Sequence, residues 1–534
     1  MLLLPNNLPH KRFNNNNIKE VHTMKRFLSV LLITMMLFCT SFATAEEASN
    51  FDEHIDFSIQ FLYMDTATDY ANDGLSEWVK ENFNVGLDVW FIEQSTNQET
   101  MRQWIAGGTL PDVATWEGFN MTEYMDYIDQ GLIAPLPDGW EERYPNLYEV
   151  FKKTSLLDYL TVDGKVYAYP HAIYSNFINV PAPIPNSSGY WYRKDWAEQL
   201  GFDFSDGTMT FSELYDFCKA AIDADLAGNG QTVGISMASN TLLWDFLMLH
   251  NGGLDFSTFH EDTENGTFVW NPSARKEDIA AQLEIARKWY ADGIIDPDFY
   301  LTDGNEALSK FTSGLSAFTQ YGIHVHGFLR VQEPFESANP DLSFADCVAP
   351  VLLVSDDGNS YYSEMSNYYT MGIFNPDIEP EKMDRILAIS DYFCTKEGEI
   401  VCWCGPKDVD WSYDENGEIV GGVEYPSSLM YCFMSIVSDD FSFGNPTYDK
   451  DIRDKAVSIV EWMSENAINA APIEWDYNFY TSDTKAMYSV DLYSEMVNLI
   501  MNDEEILPAW EAYIAQYDGM VNPLIDELNA AYFD

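Results

Sequence analysis

Apolar and polar residues alternate from Ile55: Ile55, Phe57, Ile59, Phe61 and Tyr63 take turns with Asp56, Ser58 and Gln60. That period of two predicts a strand with one face on a core. The period then lengthens. Leu75, Trp78, Val79 and Phe83 recur at helical spacing, "VGLDVWFIE" (85–93) reads as a second strand, and Met101, Trp104 and Ile105 mark a second helix. "LPDVATW" (110–116) is a third strand. Asn120, with Glu123 three residues on, can form a capping box for a helix that carries Met121, Tyr124, Met125 and Ile128 on one face and closes at Gly131. Strands and helices alternating in this way predict an α/β architecture with parallel pairing.

The pattern restarts after residue 200. Thr210 and Glu213 make a second capping-box pair ahead of Leu214, Cys218 and Ile222. "TVGISMA" (232–238) reads as a strand, "LLWDFLMLHNGG" as a helix ended by Gly252, and Ile279, Leu283, Ala286 and Tyr290 as a longer helix stopped near Gly293. The two α/β stretches are joined by "VDGKVYAYPHAIYSN" (162–176), which is extended and aromatic. No strong internal repeat is present.

The N-terminal residues are of another kind. From Met24, Lys25 and Arg26 precede an apolar run, Phe27–Phe38, that is too short to span a bilayer and ends in Ala43-Thr44-Ala45. This is a secretory signal, expected to be cleaved after Ala45. A lipoprotein signal would need a small residue before Cys39, and Phe38 stands there, so no lipid anchor is expected. Residues 1–23 read as translated leader.

Composition narrows the function classes. The net charge of −58 repels phosphate backbones and anionic lipid heads, so nucleic-acid and membrane-surface roles are not expected. Apolar content is ordinary, and the length calls for more than one lobe. Six cysteines lie beyond the signal (Cys218, Cys347, Cys394, Cys402, Cys404 and Cys432), a number that permits disulfides without requiring them.

Several motifs, spread over the chain, carry a resemblance. They are "AGGTLPDVATW", "GLIAPL", "VDGKVYAYP", "GYWYRKDWAEQLGFDFSDGTMTFSELYDFCKA", "ALSKFTSGLSAF" and the closing "AWEAYIAQYDGMVNPLIDELNAAYFD". In this order, behind a signal peptide, the chain resembles extracellular solute-binding proteins of family 1, the maltose-binding-protein-like receptors of sugar ABC transporters. The resemblance implies a two-lobed periplasmic-binding-protein-like (type II) fold with discontinuous lobes and a hinge. Its expected limits are 46–170 and 171–300 for the first parts of lobes 1 and 2, a return to lobe 1 over 301–372, and 373–534 mostly in lobe 2. One loop departs from the family. Where many relatives carry a calcium-type loop, this chain reads "DADLAGNGQTVGIS". Asp225 and Asn229 keep oxygen ligands there, but Ala227 and Val233 replace acidic ones, which favours a plain turn over a metal site.

Ligands of open α/β sheets sit outside the carboxyl ends of the strands, and position selects the candidate binding residues accordingly. Trp116 and Glu117 end the third strand. Tyr169, His171 and Tyr174 lie on or beside the crossover, Trp244 opens the helix after "GISMASN", and Gln320 and Tyr321 stand at the exit of "LSAFTQ". Trp411 lies in "GPKDVDWSYDENGE", which resembles a family loop near the cleft. Each is equally well explained by packing, since aromatic residues dominate cores. His324-Val325-His326 could place two imidazoles on one strand face, though no third ligand is in view. No G-x-S-x-G, HExxH or phosphate-binding loop is present. The expected function is therefore that of a monomeric, non-enzymatic receptor without cofactor that delivers an oligosaccharide to ABC permease subunits. A receptor for a peptide-like ligand and a secreted carbohydrate-active enzyme are the alternatives.

Overall fold

The computed structural model describes residues 51–533 except 63–66, 155, 172–182, 187, 256–257, 367 and 423–449. The signal segment, Tyr174 and Cys432 lie outside the described residues. From Ile55 onward the chain forms one compact unit that contains two five-stranded sheets.

The first sheet has the order Val85–Val89, Ile55–Gln60, Val113–Trp116, Thr370–Phe374, Ala168–His171. The first three strands are parallel, as their alternation with helices predicts, and Thr370–Phe374 runs antiparallel to both its neighbours. Two polar side chains fix the register between Ile55–Gln60 and Val113–Trp116. The Asp112 carboxylate accepts from Ser58 N at 2.7 Å and Ser58 Oγ at 3.0 Å, and Gln60 Oε1 accepts from Thr115 N at 3.1 Å. Because a one-residue slip would turn every core side chain outward, such cross-strand bonds define which face is buried. Helix Gly74–Phe83 covers one side, with Asp73 capping it through Ser76 N and Asn84 ending it in a left-handed conformation at φ 50°. Arg385 on helix Pro380–Phe393 donates to the carbonyls at that end, those of Phe83 and Asn84.

The second sheet has the order Thr208–Thr210, Val348–Val354, Ser188–Arg193, Ser316–Gly322, Val233–Ser236. Its centre is antiparallel, with Tyr190 and Phe318 stacked at 5.6 Å in a fully buried cluster that also takes Phe246 and Trp289. Gly189 permits the close approach of a neighbouring turn: a Cβ there would lie 2.0 Å from Ile323 Cγ2. The helix expected after "GISMA" is present as Thr241–Asn251 but is wound as a π-helix, and Gly252 ends it as expected. Helices Leu492–Met501, Ile506–Ile514 and Asp518–Tyr532 close the chain over this lobe, anchored by buried Trp510, whose indole N–H donates to Pro272 O at 2.9 Å.

Three expectations are corrected. Residues 301–372 are not the return to the first lobe, because Ser316–Gly322 and Val348–Val354 pair within the second sheet; Thr370–Phe374 makes the return. Helix Pro380–Phe393 stays with the first lobe too, where Asp384 accepts from Tyr144 Oη at 2.9 Å and Asp391 from Asn146 N at 2.7 Å. Strand periodicity identifies strands but not their partners, and the lobe limits shift for that reason. His324 and Val325 do not continue a strand. His324 caps helix Val325–Ala338 by accepting from Gly327 N at 3.2 Å, so no shared strand face exists for a histidine pair. Of the two capping boxes, Thr210–Glu213 is complete, whereas Glu123 turns away from Asn120 to pair with Arg102 at 2.7 Å.

The described cysteines are buried free thiols. No helix among the described residues is long and apolar enough to cross a membrane.

Candidate functional site

At the carboxyl edge of the first sheet the aromatic residues point inward. Trp116 is 1% exposed and packs against Phe119 and Tyr127, with ring centroids at 5.0 and 5.4 Å. Tyr169 is fully buried and stacks on Phe374 at 5.7 Å, with the His171 ring edge-on to it at 4.8 Å. Both rings lie over Gly372, where a Cβ would come within 2.6 Å of His171 Nε2 and Tyr169 Cε1. Neither nitrogen of His171 has a hydrogen-bond partner among the described residues, nor does Thr370 Oγ1, directly opposite on the next strand. Burial pushes the His171 pKa down to about 3, so the ring is neutral. Glu117 differs from its neighbours. It is half-buried, and its Oε1 accepts from Tyr369 Oη at 3.1 Å.

The corresponding edge of the second sheet is open. A cavity of about 510 Å³ lies beside the crossover, lined by side chains from three directions. Asn186 and Ser188 enter from the strand Ser188–Arg193 and its approach, Asn240, Trp244 and Asp245 from the first turns of the π-helix, and Asp491 and Tyr493 from the start of helix Leu492–Met501. Leu242, Leu243, Phe246 and Leu247 of the π-helix are buried in the core, which leaves Trp244 and Asp245 half-buried on its remaining face. Local caps hold the rim. Asn240 accepts from Thr241 N at 2.9 Å and Asp491 from Ser494 N at 3.0 Å. Ser363, on the returning crossover, accepts from Asn186 N through its carbonyl at 2.8 Å. A cavity of this size, with an indole beside hydroxyls, amides and carboxylates, suits a polar ligand with apolar faces.

Of the candidates chosen by sequence position, Trp244 lines this cavity. Gln320 and Tyr321 are half-buried on opposite faces of the strand Ser316–Gly322 and do not line it; Tyr321 packs toward the Trp191 cluster. Trp411 is buried, its indole N–H donating to Gly405 O at 2.7 Å. Sequence reasoning missed Asn186, Ser188, Asn240, Asp245, Asp491 and Tyr493. The signal available for Asn240 and Asp245 was their placement around Trp244. For Asp491 and Tyr493 there was none, because that helix reaches the edge only through tertiary packing.

A second cluster bears on metal chemistry and on how the lobes meet. His260, on strand Phe259–Asp262, faces Glu474 at 2.5 Å and Asp255 at 3.4 Å. The three could hold a cation by geometry. The carboxylates raise the His260 pKa to about 10, so the imidazolium itself supplies their positive partner at neutral pH. Glu474 opens the short helix Trp475–Phe479, which touches both lobes. Tyr477 stacks on Phe259 of the second lobe at 4.9 Å, while Phe479 stacks on Tyr159 of the first at 4.5 Å. Tyr159 Oη also donates to Asp476 Oδ1 at 2.6 Å. The calcium-type loop is arranged as a turn. The Asp225 carboxylate accepts from Gly230 N at 2.9 Å and Thr232 Oγ1 at 2.9 Å.

No protein-family model matches the chain. It is 22% identical over 233 residues to the polygalacturonan/rhamnogalacturonan-binding protein YtcQ of Bacillus subtilis, covering 43% of each chain. It is 25% identical over 231 residues to the fructooligosaccharide ABC transporter substrate-binding protein FusA of Streptococcus pneumoniae, covering 41% of each. The chain thus matches well under half the length of these curated relatives. In solved structures it resembles the alginate-binding protein AlgQ2 without calcium ion (TM-score 0.63, 17% identity, 90% of this chain and 99% of that one). It equally resembles FusA in complex with kestose (TM-score 0.62, 15% identity, 90% and 99%). The chain therefore has the two-lobed fold of ABC-transporter solute-binding proteins and is similar in sequence to two sugar-binding ones.

Proposed function

We propose that the protein is the extracytoplasmic substrate-binding component of an ABC importer, capturing an oligosaccharide between two lobes and delivering it to the permease subunits. The observation that carries this reading is the open cavity at the carboxyl edge of the second sheet, with Trp244 beside a rim of asparagine, hydroxyl and carboxylate groups. Pyranose and furanose rings present C–H faces that stack on an indole and hydroxyls that such a rim can bond. In this reading Glu117 and Tyr369, bonded to each other, close on the ligand from the first lobe when the hinge moves. Trp116, Tyr169 and Trp411 act as packed supports in this reading, and His171 with Thr370 offers unsatisfied polar atoms at the first edge. Export by the signal over 24–45, cleavage after Ala45 and a monomeric state belong to the same proposal.

The test is thermal unfolding of the mature protein against a panel of oligosaccharides and peptides, with recovery of the ligand afterwards. A ligand at ~100 times its dissociation constant adds ~2.7 kcal/mol of stability, a readable shift in Tm. A shift with the sugar recovered intact supports the receptor. Recovery of shortened sugar refutes it in favour of a carbohydrate-active enzyme, and a shift with peptides alone refutes the oligosaccharide.

A further inference from the structure

The sugar-binding relatives differ in the charge of what their names say they bind: polygalacturonan is a chain of uronic acids, whereas a fructooligosaccharide carries no ionisable group. The charges around the cavity of this protein distinguish the two classes. Among the described residues that line it none is Lys, Arg or His, and two are Asp. The sequence surrounding it is equally bare. No Lys or Arg occurs in 166–192, 220–274, 331–381 or 486–534, and these runs contain every residue of the cavity wall. The first edge is no different, because residues 27–79 and 103–142 also lack both, and Glu117 adds a carboxylate there.

The basic groups nearest in the chain face carboxylates or carbonyls of the protein itself: the His260 imidazolium, two residues from Thr258 of the wall, is held by Glu474 and Asp255, and His250 Nε2 lies 3.6 Å from Asp245. Arg193 sits at the far end of the strand that begins at Ser188 and is paired with Asp195 at 2.6 Å. Lys485 donates to the carbonyls of Tyr477, Asn478 and Tyr480 and lies over the Tyr477 ring. A carboxylate withdrawn from water needs a cation or several N–H donors, and carboxylates within a few ångströms of each other repel strongly where water is excluded.

Resting on the receptor reading, we infer that the ligand is an uncharged oligosaccharide and that the cavity selects against chains bearing uronate groups. Asp245 and Asp491 act twice in this scheme. Their oxygens accept hydrogen bonds from sugar hydroxyls, and their charge excludes an acidic sugar from the same place.

Calorimetric titration of the full mature protein, in the presence of a chelator, compares three probes of equal length: a neutral fructan or glucan oligosaccharide, an oligogalacturonate, and the same oligogalacturonate after its carboxyls have been reduced to alcohols. The expected result is binding of a neutral probe, at least about tenfold weaker binding of the oligogalacturonate, and recovery of affinity on carboxyl reduction. Added salt should narrow the gap by screening the repulsion. Binding of oligogalacturonate as tight as that of its reduced form overturns the inference while leaving the receptor intact. Equal failure of both galacturonate-derived probes beside a bound fructan or glucan overturns charge as the cause and assigns the selection to shape. Failure of every sugar tested overturns the receptor reading itself.

Discussion

At the carboxyl edge of the first sheet Trp116 and Tyr169 are turned into the core, while at the corresponding edge of the second sheet Trp244 stands half-buried beside an open cavity. Both edges occupy the place where ligands of open α/β sheets bind. The difference lies in the segment that leaves each strand. After Val113–Trp116 comes a glycine turn whose Phe119 folds back on Trp116, and the edge is sealed. After Val233–Ser236 comes a π-helix whose apolar residues are taken by the core, and its remaining face is left to line a cavity. Location in the topology therefore identifies an edge, and the next few residues decide whether that edge is wall or mouth.

Truncation of the two tryptophans breaks the comparison most directly. Trp116→Ala removes a fully packed indole and should cost about 3–5 kcal/mol of stability, read as a large fall in Tm or in the denaturant midpoint. Trp244→Ala should leave stability within about 1 kcal/mol but weaken sugar binding by about 2 kcal/mol, roughly thirtyfold. Were the two results exchanged, the assignment of support and contact would be reversed.

Gly372 sharpens the same contrast within the first lobe. A methyl group there would press on His171 and on Tyr169, whose ring is backed by Phe374. Gly372→Ala should therefore destabilise by about 1–3 kcal/mol, the range for overpacking a filled site. A destabilisation below about 0.5 kcal/mol would mean that the sealed edge yields as easily as the open one.

Two histidines extend the comparison to pH. In the unfolded chain each titrates near the ordinary value of 6.5. Folded His171 protonates only near 3, so unfolding takes up a proton between those values, and stability falls as the pH drops through that window, by up to about 1.4 kcal/mol per pH unit. Folded His260 holds its proton to about 10. Its contribution is complete below about 6.5 and is lost as the pH rises towards 10, reduced because solvent at its partly exposed ring screens the pair. In stability profiles against pH, His171→Gln should flatten the acid limb and His260→Gln the alkaline one. An alkaline limb unchanged in His260→Gln would show that the Glu474 pair adds nothing to folding.

Much of the fold was legible because period and capping are local. The strand starting at Ile55, the box at Thr210–Glu213 and the stop at Gly252 each depend on neighbours a few residues away. Sheet membership was not local: "LSAFTQ" reads the same whichever sheet receives it, and only its parallel pairing with Val233–Ser236 assigns it to the second. The candidate site was legible at Trp244 for the same topological reason that misled at Trp116. Asp491 and Tyr493 were invisible because nearly 250 residues separate them from Trp244, and packing of the C-terminal helices brings them to its side.

The smallest effect is expected where the two lobes touch each other. Tyr159 of the first lobe stacks on Phe479 and donates its hydroxyl to Asp476, on a helix that Glu474 and Tyr477 bind to the second lobe. Removing that hydroxyl leaves the stack in place and takes away one charge-accepting hydrogen bond, so Tyr159→Phe should cost about 1–2 kcal/mol of whatever state contains it. If the bond forms equally in the free and the ligand-bound protein, Tm falls by the same amount with and without sugar. If hinge closure tightens it, the loss in Tm is larger with saturating sugar and the dissociation constant rises by the corresponding factor. Equal shifts would make the short helix a permanent strut. Unequal shifts would make it part of the closing contact, and would tie the sealed edge of one lobe to the open edge of the other.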